Sequence, residues 1–291
     1  MDRRTALKLM ASLPLAASAS ARAKPARASR RPPEPSGRFP TIFLAHGAPP
    51  LLDDAGWVGE LNRWARAMPR PTSILMLSAH WVEAPITIGA TTSVPLVYDF
   101  HGFPQRYYQV RYPAPGAPDL ALRVRGLLAG VEETQDQPAR GLDHGAYVPL
   151  VAMYPEADVP VLQISLPTLE PERLLEVGRR LAPLRSEGVL IIGSGFLIHN
   201  LSALRAGGSA AVPGWAKEFD AWTAETLPRR DPEELLSYRA RAPGVQLALP
   251  THEHFVPVVV AKGAALDEPV QFPITGFAWG PMTKRSVQFG I

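Results

Sequence analysis

Short apolar runs alternate with longer amphipathic stretches from residue 39 to the end of the chain. The apolar runs are bounded by Gly and Pro, which is typical of fully buried strands in a mainly parallel sheet. They predict strands near residues 41–45, 73–79, 86–90, 160–166, 188–193 and 285–289. The stretches between them show a 3.6-residue apolar period or charges ordered to suit the helix dipole. They predict helices over residues 53–67, 119–128, 170–181, 215–227 and 232–239.

This alternation of strands and helices predicts the fold class. We expect an α/β fold, a three-layer sandwich with a mainly parallel central sheet flanked by helices. One long stretch, residues 95–118, shows neither period and is rich in aromatic residues and proline. Such a segment suits a functional loop over a site. In one interpretation, its aromatic rings line a substrate pocket, with Arg106 or Arg111 binding a carboxylate of the substrate. In the other, the aromatic residues only pack this proline-rich loop against the sheet.

The first 38 residues have a different composition from the rest of the chain. Arg3 and Arg4, followed by an apolar stretch over 9–17 and then small residues, resemble a twin-arginine export signal. The apolar stretch is too short to act as a stable membrane anchor. We therefore predict a signal peptide and linker over 1–38, a single domain over 39–291, and an exported or periplasmic protein. The alternative is a chance basic tail.

Charge and cysteine content narrow the classes of partner and ligand. Residues 1–38 carry nine Lys and Arg against two Asp and Glu, whereas the remaining residues carry 21 against 25. The excess positive charge belongs to the amino-terminal segment, so it gives no support for binding to nucleic acid. The chain has no cysteine, which excludes disulfides and thiolate metal ligands. A metal would need histidine, carboxylate, backbone oxygen or water as ligands.

Three predicted strands lead into a histidine at or just beyond their carboxyl ends. These histidines are His46, His80 and His199. In open α/β sheets, ligands bind just outside the carboxyl ends of the strands, and neutral imidazole is the commonest metal ligand. We therefore predict a metal centre at that edge of the sheet. A further histidine, His144, lies in a glycine-flanked turn beside Asp143.

Two more histidines flank Glu253 near the carboxyl end. His252 and His254 follow Thr251, which is placed to cap a helix beginning after it. Residues two apart on a helix face different directions. We therefore expect at most one of this pair to reach the metal centre.

Seven short segments resemble, in the same order, the class III extradiol ring-opening dioxygenases of the DOPA 4,5-dioxygenase type. They are LAHGAP at 44–49, SAHW at 78–81, DFHGFP at 99–104, YPAPG at 112–116, GLDHG at 141–145, GSG at 193–195 with HN at 199–200, and PTHEH at 250–254. Any one of these segments alone is a weak signal. Seven in order, from about residue 41 to the carboxyl end, are specific, and they identify residues 39–291 as an extradiol dioxygenase catalytic domain.

The resemblance assigns roles to individual histidines. It implies that His46, His80 and His254 are metal ligands, and that His199 lies at the same ion as a further ligand or as an acid/base. His144 matches a catalytic histidine that faces the bound catechol. The chain departs from the pattern at His101, where relatives often carry Tyr, and at His252, where they often carry Pro. Both departures lie near the expected substrate mouth, and His252 would compete with His254 for the metal.

The resemblance also implies the substrates and the metal. A small aromatic diol and O₂ would react at Fe(II), with Zn(II) as an alternative occupant because neutral histidines suit both ions. Two other functions stay open at this point: a Zn-dependent hydrolase on the same scaffold, and a non-catalytic periplasmic protein that binds metal or catechol. A serine hydrolase is disfavoured, since the five-residue G-x-S-x-G pattern around Ser194 is incomplete. The catechol, the position of ring cleavage and the oligomeric state are not set by the sequence.

Overall fold

The structure, a computed structural model, describes residues 37–204 and 211–291. Within these residues we number the strands in chain order. They are β1 (Thr41–Ala45), β2 (Ser73–Val82), β3 (Ile86–Ile88), β4 (Thr134–Asp136), β5 (Val161–Leu166), β6 (Val189–Gly195), β7 (Val270–Ile274), β8 (Phe277–Ala278), β9 (Met282–Thr283) and β10 (Ser286–Phe289).

Eight of these strands form the central sheet, in the order β4-β3-β5-β2-β6-β1-β10-β7. Four central strands, β5, β2, β6 and β1, run parallel to one another, while β10 and β7 add an antiparallel edge. In register, Ala45 at the end of β1 lies opposite Gly195 of β6, and Ser78 of β2 lies opposite Ser194. The carboxyl ends of three neighbouring strands therefore meet at one edge, as predicted.

The helices cover both faces of this sheet. They are α1 (Ala55–Ala67), α2 (Pro118–Leu128), α3 (His144–Met153), α4 (Pro171–Leu181), α5 (Gly214–Thr226), α6 (Glu233–Leu236), α7 (Tyr238–Arg241), α8 (Val245–Ala248) and α9 (Pro257–Ala264). Short 3₁₀ turns lie at Pro49–Asp53, Gln105–Gln109, Ala182–Glu187 and Leu201–Ala203.

Alternation along the strands builds two hydrophobic cores, one on each side of the sheet. On β1, Ile42 and Leu44 belong to the core under α1 and α3, whereas Phe43 belongs to the core under α4 and α9. Successive side chains of a strand point to opposite faces, so one strand supplies both cores. The predicted three-layer α/β sandwich with a mainly parallel sheet is confirmed.

Two helices that position the site are not among the predicted elements. α3 and α9 are apolar and buried around nearly their whole circumference, so they show no amphipathic period. His144, predicted to lie in a turn, is the first residue of α3. The predicted capping role of Thr251 is wrong, because α9 begins only at Pro257 and the Thr251 hydroxyl bonds to Glu253 instead.

The predicted signal peptide and linker over 1–38 lie outside the described residues, apart from residues 37 and 38. Among the helices of the described ranges, none has both the length and the apolar character that crossing a bilayer requires.

Candidate functional site

Three imidazoles converge at the carboxyl edge of the parallel strands. His46 directly follows β1, and its backbone N–H donates to the carbonyl of Gly195 at the end of β6 (3.2 Å). His80 lies on β2, which continues two residues beyond it. His254 precedes α9, and its carbonyl accepts from the backbone N–H of Phe196 (2.9 Å). Two strands and one turn thus bring together three residues far apart in sequence.

The ring nitrogens of these three histidines face one another. His80 Nε2 lies 3.2 Å from His46 Nε2 and 3.3 Å from His254 Nε2. Histidine nitrogens that each bind a shared ion at about 2.1 Å lie roughly 3.0–3.4 Å apart. This spacing, together with a donor set of three uncharged nitrogens, fits one divalent metal ion.

The other ring nitrogen of each histidine meets an oxygen. His46 Nδ1 lies 3.0 Å from Ser194 Oγ. The Ser194 hydroxyl itself donates a hydrogen bond to the carbonyl of Gly145 (2.5 Å). Ser194 therefore accepts from His46, which leaves the Nε2 lone pair of His46 directed at the centre. His254 Nδ1 lies 2.9 Å from Glu253 Oε1, and His80 Nδ1 lies 3.3 Å from Asp99 Oδ2. Acceptors placed in this way fix the tautomer and orientation of metal-binding histidines.

Burial keeps these imidazoles in the neutral form that binds metals. Loss of hydration, aided by the neighbouring histidines, lowers the pKa of His46 well below its usual value. Burial likewise lowers the pKa of His80 and of His254. Glu253 is ionised instead: burial would raise its pKa, but hydrogen bonds from His254, from its own backbone and from Thr251, together with the charge of His254, outweigh burial and the pKa falls to about 2.

A close backbone approach at Gly145 lets α3 pack against the histidines. A Cβ at this position would lie 2.4 Å from Ser78 Oγ and 2.9 Å from His80 Cδ2. Gly195 is equally constrained, since a Cβ there would lie 2.0 Å from the carbonyl oxygen of His254. Both glycines are thus needed because larger residues would push elements of the site apart.

His144 lies beside the three-histidine group rather than within it. Its ring centre is 4.0 Å from that of His80, and its Nδ1 lies 2.8 Å from Asp99 Oδ1. The same carboxylate oxygen accepts from the backbone N–H of His144 (3.0 Å). Asp143 caps α3 by accepting from the N–H of Ala146 (3.2 Å), which orients the first turn that carries His144.

Asp99 therefore holds two histidines of the site at once, because its second oxygen faces His80. Burial would raise its pKa, but the side-chain and backbone hydrogen bonds from His144 and the charges of His144 and His80 together outweigh burial and lower the pKa to about 2. An ionised Asp99 only accepts hydrogen bonds. The neutral form of His144 then carries its proton on Nδ1, which leaves the Nε2 lone pair free in that form.

His199 is stacked on His254. The ring centres lie 3.4 Å apart and the ring planes differ by 9°. The lone pairs of two parallel stacked rings lie in separate parallel planes, so both cannot point straight at the same ion. Burial, and then the neighbouring His254, lower the pKa of His199 to about 3. His199 as a fourth metal ligand stays a prediction, and its ring lines the cavity above the group.

The two histidines at which the chain departs from the family pattern occupy different places. His252 lies outside the group and packs against the ring of Tyr238, with ring centres 5.5 Å apart. His101 is exposed and lines the mouth of the cavity. Of the pair around Glu253, the structure thus brings only His254 to the centre.

A cavity of about 380 Å³ opens over the histidines. The loop predicted to cover a site supplies Phe100, His101 and Phe103 to its wall. Arg106 instead forms an ion pair with Asp53, with Nη2 2.7 Å from Oδ2, and is not part of the lining. A cavity of this size and apolar character suits a single aromatic ring.

Sequence reasoning missed three residues that orient the histidines: Asp99, Ser194 and Glu253. Glu253 carried a signal, since it is adjacent to His254 in the sequence. Asp99 lies 45 residues before His144, with which it forms its hydrogen bonds, and no spacing rule connects them. Ser194 drew attention only as a nucleophile, whereas its hydroxyl is a hydrogen-bond bridge between His46 and Gly145.

Comparison with known proteins agrees with this geometry. Residues 50–290 match the family described as the catalytic LigB subunit of aromatic ring-opening dioxygenase. The chain is 37% identical over 261 residues to the 4,5-DOPA dioxygenase extradiol of Escherichia coli K12, covering 88% of this chain and 96% of that protein. It is 41% identical over 232 residues to the protein of the same name from Beta vulgaris, covering 77% and 86%.

A solved structure shares the fold. The crystal structure of an uncharacterized Escherichia coli K12 protein superposes with a TM-score of 0.75 at 33% identity, covering 87% of this chain and all of that one. The family match over residues 50–290 contains His80 and His254 of the three-histidine group. The chain therefore belongs to the LigB family of aromatic ring-opening dioxygenases and is an extradiol ring-cleavage enzyme.

Proposed function

We propose that this protein opens the ring of a catechol-type substrate with O₂ at a ferrous ion held by His46, His80 and His254. The observation that carries the proposal is the position of His80 Nε2, 3.2 Å from His46 Nε2 and 3.3 Å from His254 Nε2. The names of the relatives, which refer to DOPA, support a catechol as substrate. A bound ferrous ion would supply a redox-active centre with open coordination positions. Zn(II) has no redox chemistry, so it would not support a reaction with O₂.

In this proposal His144 is the acid/base residue. Asp99 accepts from Nδ1 of His144, so Nε2 is free to take a proton from a catechol hydroxyl and return it later. His80, 4.0 Å away by ring centres, keeps His144 next to the metal site. Phe100 meets the His144 ring edge-on at 5.7 Å, which restricts the tilt of that ring.

The apolar wall of the cavity excludes water from the reacting groups. Phe196 meets His46 edge-on, with ring centres 5.3 Å apart, and closes the floor of the site on the α1 side. Phe103 adds a further apolar ring to the lining of the cavity. Proton transfer between catechol and His144 then proceeds away from bulk solvent, which would otherwise compete for the same proton.

Reconstitution tests this proposal. Protein purified without oxygen is loaded with Fe(II) or, as the matched control, with Zn(II), and O₂ uptake is followed with a panel of catechols. We expect uptake and a yellow ring-opened product with Fe(II) only. Ester hydrolysis without O₂ uptake would instead favour the hydrolase alternative, and tight metal binding with neither activity would favour a binding protein.

We further propose that residues 1–38 direct export by the twin-arginine route. The support is the sequence alone: Arg3 and Arg4, the apolar stretch and the small residues after it. Cell fractionation of the full chain tests it, with Arg3→Lys and Arg4→Lys combined as the variant. We expect the unaltered chain in the exported fraction and the variant retained in the cytoplasm; equal distribution of the two would contradict export by this route.

A further inference from the structure

We propose that the preferred catechol carries an apolar, uncharged ring substituent, which packs against a lip formed by Leu201, Leu204 and Trp279. This inference rests on the proposed function, since it concerns the substrate of the same site. It narrows the substrate class, because DOPA-type catechols carry a charged side chain. Three observations support it: exposed leucines, a fixed tryptophan, and the charge of the cavity wall.

The first observation concerns two leucines at the mouth of the cavity. Leu201 and Leu204 are 62% and 38% exposed, although large apolar side chains are normally covered. Both line the same cavity as the three-histidine group. Exposed apolar surface that continues into a cavity marks a ligand-binding surface. A substituent that leaves the catechol ring toward the mouth would cover these side chains.

The second observation concerns Trp279, which forms another part of the lip. It lies in the short loop between β8 and β9 with φ of 51°, a left-handed conformation that is unfavourable for a bulky residue. Such a conformation persists only where the surroundings impose it. The Trp57 ring supports Trp279 from below, with ring centres 5.6 Å apart.

Three interactions hold the hairpin that carries Trp279. Asp220 of α5 accepts from the hydroxyl of Thr283 (2.6 Å) and forms an ion pair with Arg285 (2.5 Å). Lys284 forms an ion pair with Glu60 of α1 (2.7 Å). The apolar wall is therefore built before substrate arrives, and a rigid apolar wall favours apolar groups because they need no hydrogen-bond partner there.

The third observation is the charge of the lining. Among the described residues of the cavity wall, Asp99 is the carboxylate and no Lys or Arg is present. Arg106 is engaged by Asp53 and by the hydroxyl of Tyr107 (3.0 Å). Arg140 packs over the Trp81 ring at 4.4 Å. A substrate carboxylate would thus lose its hydration close to the negative charge of Asp99, and none of these arginines would pair with it. The loss of hydration without an ion pair disfavours binding of a charged substituent.

A matched pair of substrates tests the proposal. 4-Propylcatechol and 3-(3,4-dihydroxyphenyl)propanoate have side chains of the same length and differ in charge; L-DOPA is the third compound. We expect kcat/KM of the Fe(II) enzyme to be at least about tenfold higher for 4-propylcatechol. In the series from methyl to propyl, kcat/KM should rise about three- to fourfold per methylene that the lip covers. Binding affinity should follow the same order, with the lowest Kd for 4-propylcatechol, measured by calorimetry without O₂ on the Zn(II)-loaded protein.

A variant with a cation at the lip sharpens the test. Leu204→Lys should lower the preference for 4-propylcatechol over the propanoate at least tenfold. The control is Leu122→Lys on α2, a leucine that is 66% exposed and not part of the cavity, and it should leave the preference unchanged. Arg205→Ala, in the next position after Leu204 and outside the described residues, should also leave it unchanged.

The possible failures are distinguishable. A preference of the unaltered protein for the propanoate or for L-DOPA would overturn the proposal, as would an unchanged preference in the Leu204→Lys variant. If no catechol supports O₂ uptake, the proposed function fails, but calorimetry still decides whether the lip selects the apolar compound.

Discussion

At the scale of single residues, Asp99 connects binding to proton transfer. One of its oxygens accepts from the ring and backbone of His144, and the other faces Nδ1 of His80. The carboxylate thus orients the His144 and His80 rings together, and in the proposed function these are the acid/base residue and a metal ligand. Such outer carboxylates are worth about 10- to 100-fold in metal affinity or activity when they are replaced.

Asp99→Asn tests this connection. An amide has one acceptor oxygen and a donor nitrogen, so it cannot accept from both histidines. We expect kcat to fall about 10- to 100-fold, together with a change in the pH profile of kcat, because His144 loses its fixed tautomer. Asp53→Asn, which alters the carboxylate paired with Arg106, is the control and should change neither. A kcat for Asp99→Asn equal to that of the unaltered enzyme would contradict this role.

His144→Ala separates acid/base catalysis from metal binding. Positioned proton transfer is typically worth about 10²–10⁴-fold in rate, so kcat should drop within that range. Metal content, measured by elemental analysis, should stay at the level of the unaltered protein because His144 lies outside the three-histidine group. Loss of metal in this variant would show that His144 is a ligand.

At the scale of secondary-structure elements, the contact between α3 and β2 sets the shape of the site. Gly145 lies in the first turn of α3, beside Ser78 and His80, with no room for a Cβ. Because α3 also carries His144, any shift of the helix moves His144 relative to the three-histidine group. The packing of one helix on one strand thus couples two parts of the machinery.

Gly145→Ala is expected to weaken metal binding. The new Cβ would meet Ser78 Oγ at 2.4 Å, so either α3 or the His80 ring must move. The control is Gly126→Ala on α2, where no atom lies within 4 Å of the new Cβ. That helical change should stabilise the protein by about 0.5–1 kcal/mol. Metal titration compares the two variants, and equal metal affinity would contradict the packing argument.

The sequence predicted six of the strands and the amphipathic helices, but not β4, β7, β8 and β9 or the helices α3, α8 and α9. For α3 and α9 the reason is physical. β1 and β6 are continuous apolar runs bounded by Gly or Pro, a pattern that buried parallel strands share. α3 and α9 are buried on nearly all sides, so their apolar residues have no helical period, and Pro149 lies inside α3. Periodicity cannot identify a helix of this kind.

The sequence indicated the candidate metal-binding histidines but not the residues that orient them. Strand ends pointed to His46, His80 and His199. The family resemblance pointed to His46, His80 and His254, with His199 at the same ion as a further ligand or as an acid/base. Asp99 comes from an irregular loop, whose path depends on packing rather than on a repeating pattern. Its contacts with His80 and His144 therefore could not be inferred from a sequence pattern.

At the scale of the whole molecule, burying several neutral histidines makes stability depend on pH. Burial lowers the pKa of His46, His80, His199 and His254 in the folded, metal-free protein, that of His199 to about 3. In the unfolded chain these groups take up protons near pH 6.5. Below that pH the unfolded state binds more protons than the folded state, so stability falls as pH falls.

Urea unfolding of the metal-free protein at pH 7.5 and 5.5 tests this dependence. Each buried neutral histidine should cost about 1 kcal/mol at the lower pH, and the midpoint should move to lower urea. His199→Gln should lessen the drop because it removes one of these groups, whereas a change at exposed His101 should not. A midpoint that stays constant or rises at pH 5.5 would show that the histidines are not buried in the neutral state.

The central claim is that His46, His80 and His254 hold the metal on which ring opening depends, and the pair His254→Ala and His252→Ala tests it most directly. These residues are two positions apart, but only His254 belongs to the group. After loading with Fe(II), metal per chain and O₂ uptake with a catechol are measured for both variants. The account predicts that His254→Ala loses both, while His252→Ala keeps a full equivalent of metal and its O₂ uptake. Full metal in His254→Ala, or loss of metal in His252→Ala, would contradict it.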